Sequence, residues 1–137
     1  MINAIQISLS GLLANQKKMS GIASNVANMT TGGALDGGTN PPYSAVTTVQ
    51  ESLTLKEGEG AGVKASIMPK TTPFVPSYQP DSPFADGDGM IGIPNVNLAE
   101  EAVMMKVAEH SFKANVKVMQ AISDMTRDML HSFDRKV

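Results

Sequence analysis

Cysteine is absent from this 137-residue chain, and so is tryptophan. The lack of cysteine excludes disulfides, thiol catalysis and thiolate metal sites, and it is compatible with any redox compartment. Aromatic residues are few, with two tyrosines and four phenylalanines, whereas methionines number ten. Because the unbranched thioether of methionine repacks easily, such a composition favours helix seams that accept several neighbours, although ordinary core packing explains the methionines equally well.

A strong charge of either sign is also missing, since the formal net charge is -2 at pH 7. The first 29 residues carry Lys17 and Lys18 and no acid, the middle of the chain is acidic, and the last third is balanced. No basic patch is available for a phosphate backbone, which argues against a nucleic-acid partner. Neither terminal segment has the Lys/Arg-rich polar face of a helix that lies on a membrane.

Long apolar runs are lacking too. No stretch approaches the roughly 20 apolar residues that cross a bilayer, so no direct membrane insertion is predicted. No basic residue precedes Lys17, and the apolar positions before it are spaced rather than continuous. This pattern argues against a cleaved secretory signal.

Both ends of the chain carry apolar residues at alternating three- and four-residue steps, which is the pattern of a helix with one apolar seam. The amino-terminal seam consists of Ile2, Ile5, Leu9, Leu12, Met19, Ala23 and Val26, interrupted by Gln16. The carboxyl-terminal seam consists of Leu98, Met105, Ala108, Phe112, Met119, Ile122, Met129 and Phe133, with Asn115 and Thr126 as its polar members. An asparagine in such a seam fixes the register or the number of partners at some cost in stability.

The chain divides into three segments that form one structural unit: an amino-terminal helix (1–29), a Gly/Pro-rich insert (30–94) and a carboxyl-terminal helix (95–137). The second helix is predicted to begin after Asn97, because Glu100 follows at the spacing of an N-terminal cap, and to end near Arg135. Its length of roughly 60 Å exceeds the roughly 40 Å of the first helix. The apolar positions beyond Ile122 therefore need cover from elsewhere.

The insert contains one predicted β-hairpin. The segment 43–55 is dense in Val, Thr and Leu, a turn follows over 57–62, and 63–68 has the composition of a second strand. Residues 69–94 are rich in proline, which predicts an extended, irregular connector. We therefore predict a mainly α fold with a small β part, in which long terminal helices pair as a coiled coil around a β-hairpin and an extended insert.

Catalytic and metal-binding motifs are not supported. Gly87, Gly89 and Gly92 match the spacing of a dinucleotide-binding loop, but neither a strand before them nor a helix after them is predicted. Asp86 and Asp88 are better explained by a solvated acidic turn than by a calcium loop, because no glutamate stands at the twelfth position. The chain is therefore predicted to be no enzyme and to have no cofactor or metal.

A family resemblance is carried by motifs at both ends of the chain. The amino-terminal motif comprises Ser10, Gly11, Leu12, Met19, Ile22, Ala23, Ser24, Asn25, Val26, Ala27 and Asn28. The downstream residues are Pro42, Tyr43, Tyr78, Pro80, Asp86, Gly89, Met90, Pro94, Asn95, Val96, Asn97, Glu100, Glu101, Val103, Met105, Ala114, Asn115 and Val116. Over nearly its whole length, the chain resembles the bacterial flagellar rod and hook axial proteins, and within them the C-type subunits of the proximal rod.

The resemblance implies a structural subunit that stacks helically into the hollow basal-body rod, which transmits torque and passes exported subunits. The implied partners are copies of the chain, other rod proteins, an adaptor at the base of the rod or export gate, and the flagellar type III export apparatus. The implied location is the rod within the periplasm, reached without a cleaved signal peptide. The residues assigned to the assembly interface are Ile5, Leu9, Leu12, Met19, Ala23, Val26, Met105, Phe112, Asn115, Met119, Ile122, Met129 and Phe133. Two alternatives remain at this stage: a cytoplasmic coiled-coil adaptor or export chaperone, and a small enzyme that uses the acidic Gly/Asp loop.

Overall fold

The computed structural model describes residues 2–36, 39–54 and 60–134 of the chain. The elements follow in the order α1 (Ile2–Ala27), β1 (Val46–Thr54), β2 (Gly60–Pro69), β3 (Phe74–Tyr78), β4 (Met90–Pro94) and α2 (Leu98–Asp134). The fold is mainly α with a small β part, as predicted. The predicted end of the second helix near Arg135 lies outside the described residues.

The two helices pack against each other in antiparallel directions. Asn25 near the end of α1 contacts Glu101 near the start of α2, and Gly11, nearer the start of α1, lies against Asn115, farther along α2. At about 1.5 Å per residue, the 26 residues of α1 span about 39 Å and the 37 residues of α2 about 55 Å. The end of α2 therefore extends beyond α1, and all its side chains over 123–133 are exposed.

The start of α2 is fixed by the predicted cap. The Asn97 Oδ1 atom accepts hydrogen bonds from the backbone N–H groups of Ala99 and Glu100, at 3.0 and 3.3 Å. These two donors have no partner within the helix, and the cap satisfies them. Pro94 ends β4 three residues earlier, so the chain passes directly from strand to cap to helix.

The first hairpin was predicted correctly, and its strands β1 and β2 pair in antiparallel register from Val46 opposite Pro69. Residues 57–59 of the turn predicted over 57–62 lie outside the described residues, whereas residues 60–62 already belong to β2. The hairpin lies along α1, where the Val63 N–H group donates to Ser10 Oγ at 3.0 Å. Gly62 has a φ of 105°, and a side chain there would overlap Ser10, so this contact requires glycine.

The segment 69–94 is not the irregular connector that its prolines predicted. It contains a second antiparallel hairpin, β3 with β4, and Gly33 from the loop after α1 bonds to Gly92 on the free side of β4. The connection between these strands covers residues 79–89 and ends in an acidic turn, in which Asp86 Oδ1 accepts from the Asp88 and Met90 amides, each at 2.9 Å. Pro94 ends β4, and Pro76 lies within β3, where it does not prevent the strand because an edge strand tolerates a missing N–H group.

Within the described part of the chain, neither helix is long and apolar enough to cross a lipid bilayer.

Candidate assembly surfaces and the polar joint between the helices

Asn25 occupies the point where α1, β1 and α2 meet, and only 2% of its surface is exposed. Its side-chain amide donates to the Val46 carbonyl and to Glu101 Oε1, both at 2.8 Å. Its Oδ1 atom accepts from the Val46 N–H group at 2.9 Å and from the Tyr43 hydroxyl at 3.2 Å. All four hydrogen-bonding positions of the amide are therefore used within the chain.

Glu101 is equally buried, at 2% exposure, and it pairs with Lys70 from the segment that links the two hairpins. The Lys70 Nζ atom lies 3.3 Å from Glu101 Oε1 and donates a second bond to the Asn95 carbonyl at 3.3 Å. A carboxylate at this depth would be costly without such partners. We call Asn25, Tyr43, Lys70 and Glu101 the polar joint, because together they bond both helices to β1 and to the residue that follows β4.

The buried face of α1 is made mostly of small and polar residues, with Ile22 as its one large apolar member. Its members are Ser8, Gly11, Ala14, Asn15, Gly21, Ile22 and Asn25. A Cβ atom on Gly11 would lie 2.7 Å from Asn115 Nδ2, and one on Gly21 would lie 3.2 Å from Thr48 Oγ1. These glycines let α2 and the hairpin approach the α1 backbone closely. Sequence reasoning missed this face, although Gly11, Ala14, Gly21 and Asn25 stand at its helical spacing.

The predicted α1 seam lies beside this buried face instead of on it. Ile5, Leu9 and Ala23 are exposed, with 39% of Ile5 and 45% of Leu9 in contact with solvent. Leu12, Met19 and Val26 are half-buried at the border. Leu13, which was not assigned to the seam, adds another exposed apolar side chain.

The α2 seam is divided along its length. Leu98 at its start is exposed, and the part from Met105 to Ile122 faces the chain itself. Ala108 is buried there, and Met105, Phe112, Asn115, Met119 and Ile122 are half-buried. Met129 and Phe133 are exposed on the overhang, where Leu130 joins them. Asn115 contacts Gly11, while its amide donates to the Ser111 carbonyl of its own helix at 3.1 Å.

A further apolar stripe on α2 was missed by the sequence analysis. Val103, Val107, Val118 and Met125 are 47–64% exposed, and the exposed alanines Ala114 and Ala121 stand between them. Their three- and four-residue spacing is the signal that could have identified the stripe. The chain therefore presents unpartnered apolar residues on both helices.

Charged residues occupy the rest of the solvent-facing side of α2. Lys106 and Lys113 both pair with Glu109, at 3.1 and 2.6 Å. The hydrogen bond from Lys113, followed by that from Lys106, lowers the pKa of Glu109 to about 2. These groups are exposed, so their pairs contribute far less to stability than the buried pair of the joint.

Comparison with known proteins agrees with this architecture. The family model described as "Flagella basal body rod protein" matches residues 5–34, and the model "Flagellar basal body rod FlgEFG protein C-terminal" matches residues 88–131. The matched regions contain most of α1 and most of α2, including Asn25 and Glu101 of the joint. The chain is thus built like a flagellar axial protein.

Comparison with individual relatives shows to which family of flagellar axial proteins the chain belongs. The chain is 32% identical to the flagellar basal-body rod protein FlgC of Salmonella typhimurium over 126 residues, which cover 91% of this chain and 92% of the relative. It is 31% identical to FlgC of Borreliella burgdorferi over 95% of both chains, and 29% identical to FlgC of Aquifex aeolicus over 91% of both. The chain belongs to the FlgC family and is a structural subunit of the flagellar basal-body rod.

Proposed function

We propose that the exposed apolar residues of α1 and α2 form the axial contacts by which this subunit packs with its own copies and with other rod proteins. The observation that carries the proposal is the pair of seams left open in the single chain, through Ile5 and Leu9 on α1 and through Met129 and Phe133 on α2. Apolar side chains at helical spacing bury readily against another helix. Repeated head-to-tail contacts of this kind build a helical tube instead of a closed dimer.

In this proposal the tube is the proximal part of the rod, a hollow drive shaft that transmits torque and lets exported subunits pass. Asn115 sets the helix register, because its side chain fits the notch left by Gly11. The chain's own packing is thin, because the buried apolar residues in its described part number six, four alanines and two isoleucines. A subunit of this kind is only marginally stable alone and completes its folding on assembly.

Marginal stability suits passage through a narrow export channel. We assign export to the flagellar type III apparatus without cleavage of a signal peptide, and we place the assembled subunit in the periplasm. An adaptor at the base of the rod or export gate is the proposed first partner. No catalysis is assigned, because the buried polar groups of the joint bond to one another and leave none for a substrate.

The test compares two single substitutions on exposed positions of α1. Leu9→Asp places a charge in the open seam, whereas Gln6→Asp places the same charge outside it. Each variant is expressed in the native organism in place of the wild type, and hook–basal bodies are purified and quantified by mass spectrometry. We expect wild type and Gln6→Asp to be enriched with the known rod proteins, and Leu9→Asp to be absent although it is present in cells.

Two outcomes would contradict the proposal. Equal incorporation of Leu9→Asp and Gln6→Asp would show that the α1 seam forms no axial contact. Recovery of the wild type only in the soluble fraction would instead favour an adaptor or chaperone role for this copy of the family.

A further inference from the structure

Each helix has one long apolar face that its own chain leaves exposed. The α1 face consists of Ile5, Leu9, Leu13, Ala23 and Ala27, and all five side chains are exposed. The α2 stripe consists of Val103, Val107, Ala114, Val118, Ala121 and Met125, which are exposed as well. The function proposed above requires both helices to pack with neighbouring subunits, but it does not say which surface covers which.

The two faces lie on opposite outer sides of the helix pair. Successive helix residues are about 100° apart, so residues two positions apart point in nearly opposite directions. On α1, Leu9 and Leu13 are each two positions from Gly11, which contacts α2. On α2, Val103 comes two positions after Glu101, which bonds to α1. Two copies placed side by side in the same orientation therefore bring the α1 face of one against the α2 stripe of the other.

The two faces also agree in length and spacing. Ala27 comes 22 positions after Ile5, and Met125 comes 22 positions after Val103, so each face spans about 33 Å. Both faces follow three- and four-residue steps, so in antiparallel pairing their members fall at the same levels. The opposed pairs are Ile5 with Met125, Leu9 with Ala121, Gln16 with Ala114, Ala23 with Val107 and Ala27 with Val103, while Leu13 lies beside Val118.

The sizes of the opposed side chains are complementary. Near the start of α1 the large Leu9 meets the small Ala121. Near its end the small Ala23 and Ala27 meet the valines of the stripe. Because a large side chain faces a small one at these levels, the two helices can approach closely without overlap.

We propose that the α1 face of one copy packs antiparallel against the α2 stripe of an adjacent copy in the rod, a contact that rests on the proposed function. A second copy is the occupant because this one chain carries both matching faces. The contact joins two different surfaces and keeps all copies in one orientation, so it repeats from copy to copy without a change of polarity. Each α1 then lies between the α2 of its own chain and the α2 of a neighbour.

The register makes the row of copies helical. Within one chain Gly11 lies against Asn115, so Leu9 is level with Lys117 of its own α2. In the proposed contact Leu9 lies opposite Ala121 of the neighbour, four residues farther along. Each copy is therefore displaced by about 6 Å along the helices relative to the one before it. A row with such a displacement winds into a helix instead of closing as a flat ring.

The first test is made on assembled rods and uses the absence of native cysteine. The double variant Leu9→Cys with Ala121→Cys replaces the wild type in the native organism, and purified hook–basal bodies are mildly oxidised. We expect a ladder of linked dimers and larger multiples, because every copy offers position 9 to one neighbour and position 121 to another. The matched control pairs Leu9→Cys with Gln120→Cys, an exposed position outside the stripe, and should link about tenfold less.

The products distinguish this contact from the alternatives. Dimers alone, or linkage of either single variant to itself, would indicate a two-fold contact and overturn the proposal. Double variants that enter the basal body but stay unlinked, or that link only to another rod protein, would also overturn it while leaving the proposed function intact. Absence of the wild type from basal bodies would contradict the proposed function itself.

The second test uses no cysteine and asks whether the stripe is covered in the rod. Val118→Asp places a charge within the stripe, and Gln120→Asp places the same charge outside it. Both positions are exposed in the single chain, so both variants should fold like wild type in a urea titration. We expect Val118→Asp to be about tenfold less abundant in hook–basal bodies than Gln120→Asp, because the contact would bury an unpaired carboxylate. Equal incorporation of the two variants would overturn the pairing with the stripe, even if Leu9→Asp were excluded from the rod.

Discussion

The two ends of the helix pair are built in opposite ways. Where α1 ends and α2 begins, the buried groups are polar: Asn25 and Glu101 are each 2% exposed and are bonded to each other. Where α1 begins and α2 overhangs, the exposed groups are apolar, with 39% of Ile5 and 66% of Phe133 in contact with solvent. One end is closed by directional bonds, and the other is open to a partner.

The difference separates folding from assembly. Hydrogen bonds contribute modestly to net stability, but a buried polar group that loses its partner is costly, so the polar joint specifies a single arrangement of α1, α2 and the hairpins. Apolar burial is non-directional and proportional to area. An open apolar end can therefore gain stability from any suitably shaped neighbour, which is the property that an axial subunit needs.

The largest loss of stability is expected from Asn25→Leu. The substitution removes four hydrogen bonds, leaves the Val46 backbone groups without their partner, and leaves Glu101 with Lys70 alone. We expect the free energy of unfolding in urea to fall by about 4 kcal/mol. Asn28→Ala is the control, because its amide makes one short bond, to the Ser24 carbonyl, and its loss should cost about 1 kcal/mol. Equal losses would show that the joint is no more important than an ordinary helix-end contact.

Glu101→Ala is expected to have the second-largest effect. It leaves Asn25 and Lys70 without their common acceptor, but 21% of the Lys70 side chain is exposed, so its ammonium group can turn towards water. We therefore expect a loss of about 2 kcal/mol in the same urea measurement. Glu100→Ala, on the exposed side of the same helical turn, should change stability by less than about 0.5 kcal/mol. A similar loss from both variants would assign the effect to the helix dipole instead of the joint.

The joint also marks the limit of what the sequence could predict. Residue spacing correctly predicted both helices, the Asn97 cap, the first hairpin and the overhang, because these depend on neighbours close in sequence. Glutamate is usually found at the surface, so the sequence alone predicts that Glu101 is exposed. Its burial depends on Lys70, which is 31 residues away. Local composition cannot show such a partner.

The buried side of α1 could not be predicted for a related reason. Hydrophobic spacing identifies side chains that avoid water, but it does not say which partner covers them. In this chain Leu9 is left exposed, whereas Gly11 and Gly21 form the contacts because their small size allows close approach. The second hairpin was missed because strand pairing across the turn at Asp86 outweighed the proline signal.

The contact between Gly11 and Asn115, midway along the helix pair, tests whether the helices keep a fixed arrangement away from the polar joint. Gly11→Ala gains up to about 1 kcal/mol of helix propensity but pushes against Asn115, so a net change near zero is expected. Asn115→Ala should relieve the crowding and make Gly11→Ala stabilising. A double-mutant cycle on the free energy of unfolding should then give a coupling of about 1 kcal/mol. Additive effects would mean that the Asn115 side chain does not pack against Gly11.

A separate variant, Asn115→Leu, tests the proposed role of Asn115 in helix register. Unchanged motility in this variant would exclude that role.

The smallest effect on folding is expected at the open end, from Phe133→Ser. Because 66% of this residue is already exposed, its removal should change the free energy of unfolding by less than about 0.5 kcal/mol. Ile22→Ala is the buried counterpart at 5% exposure and should cost about 3 kcal/mol. In motility on soft agar the ranking should differ. Phe133→Ser should be impaired although its fold is intact, because it removes one of the axial contacts that we propose. If Phe133→Ser instead lowered stability as much as Ile22→Ala, the overhang would be packed within its own chain, and the two ends of the helix pair would not differ in the way described.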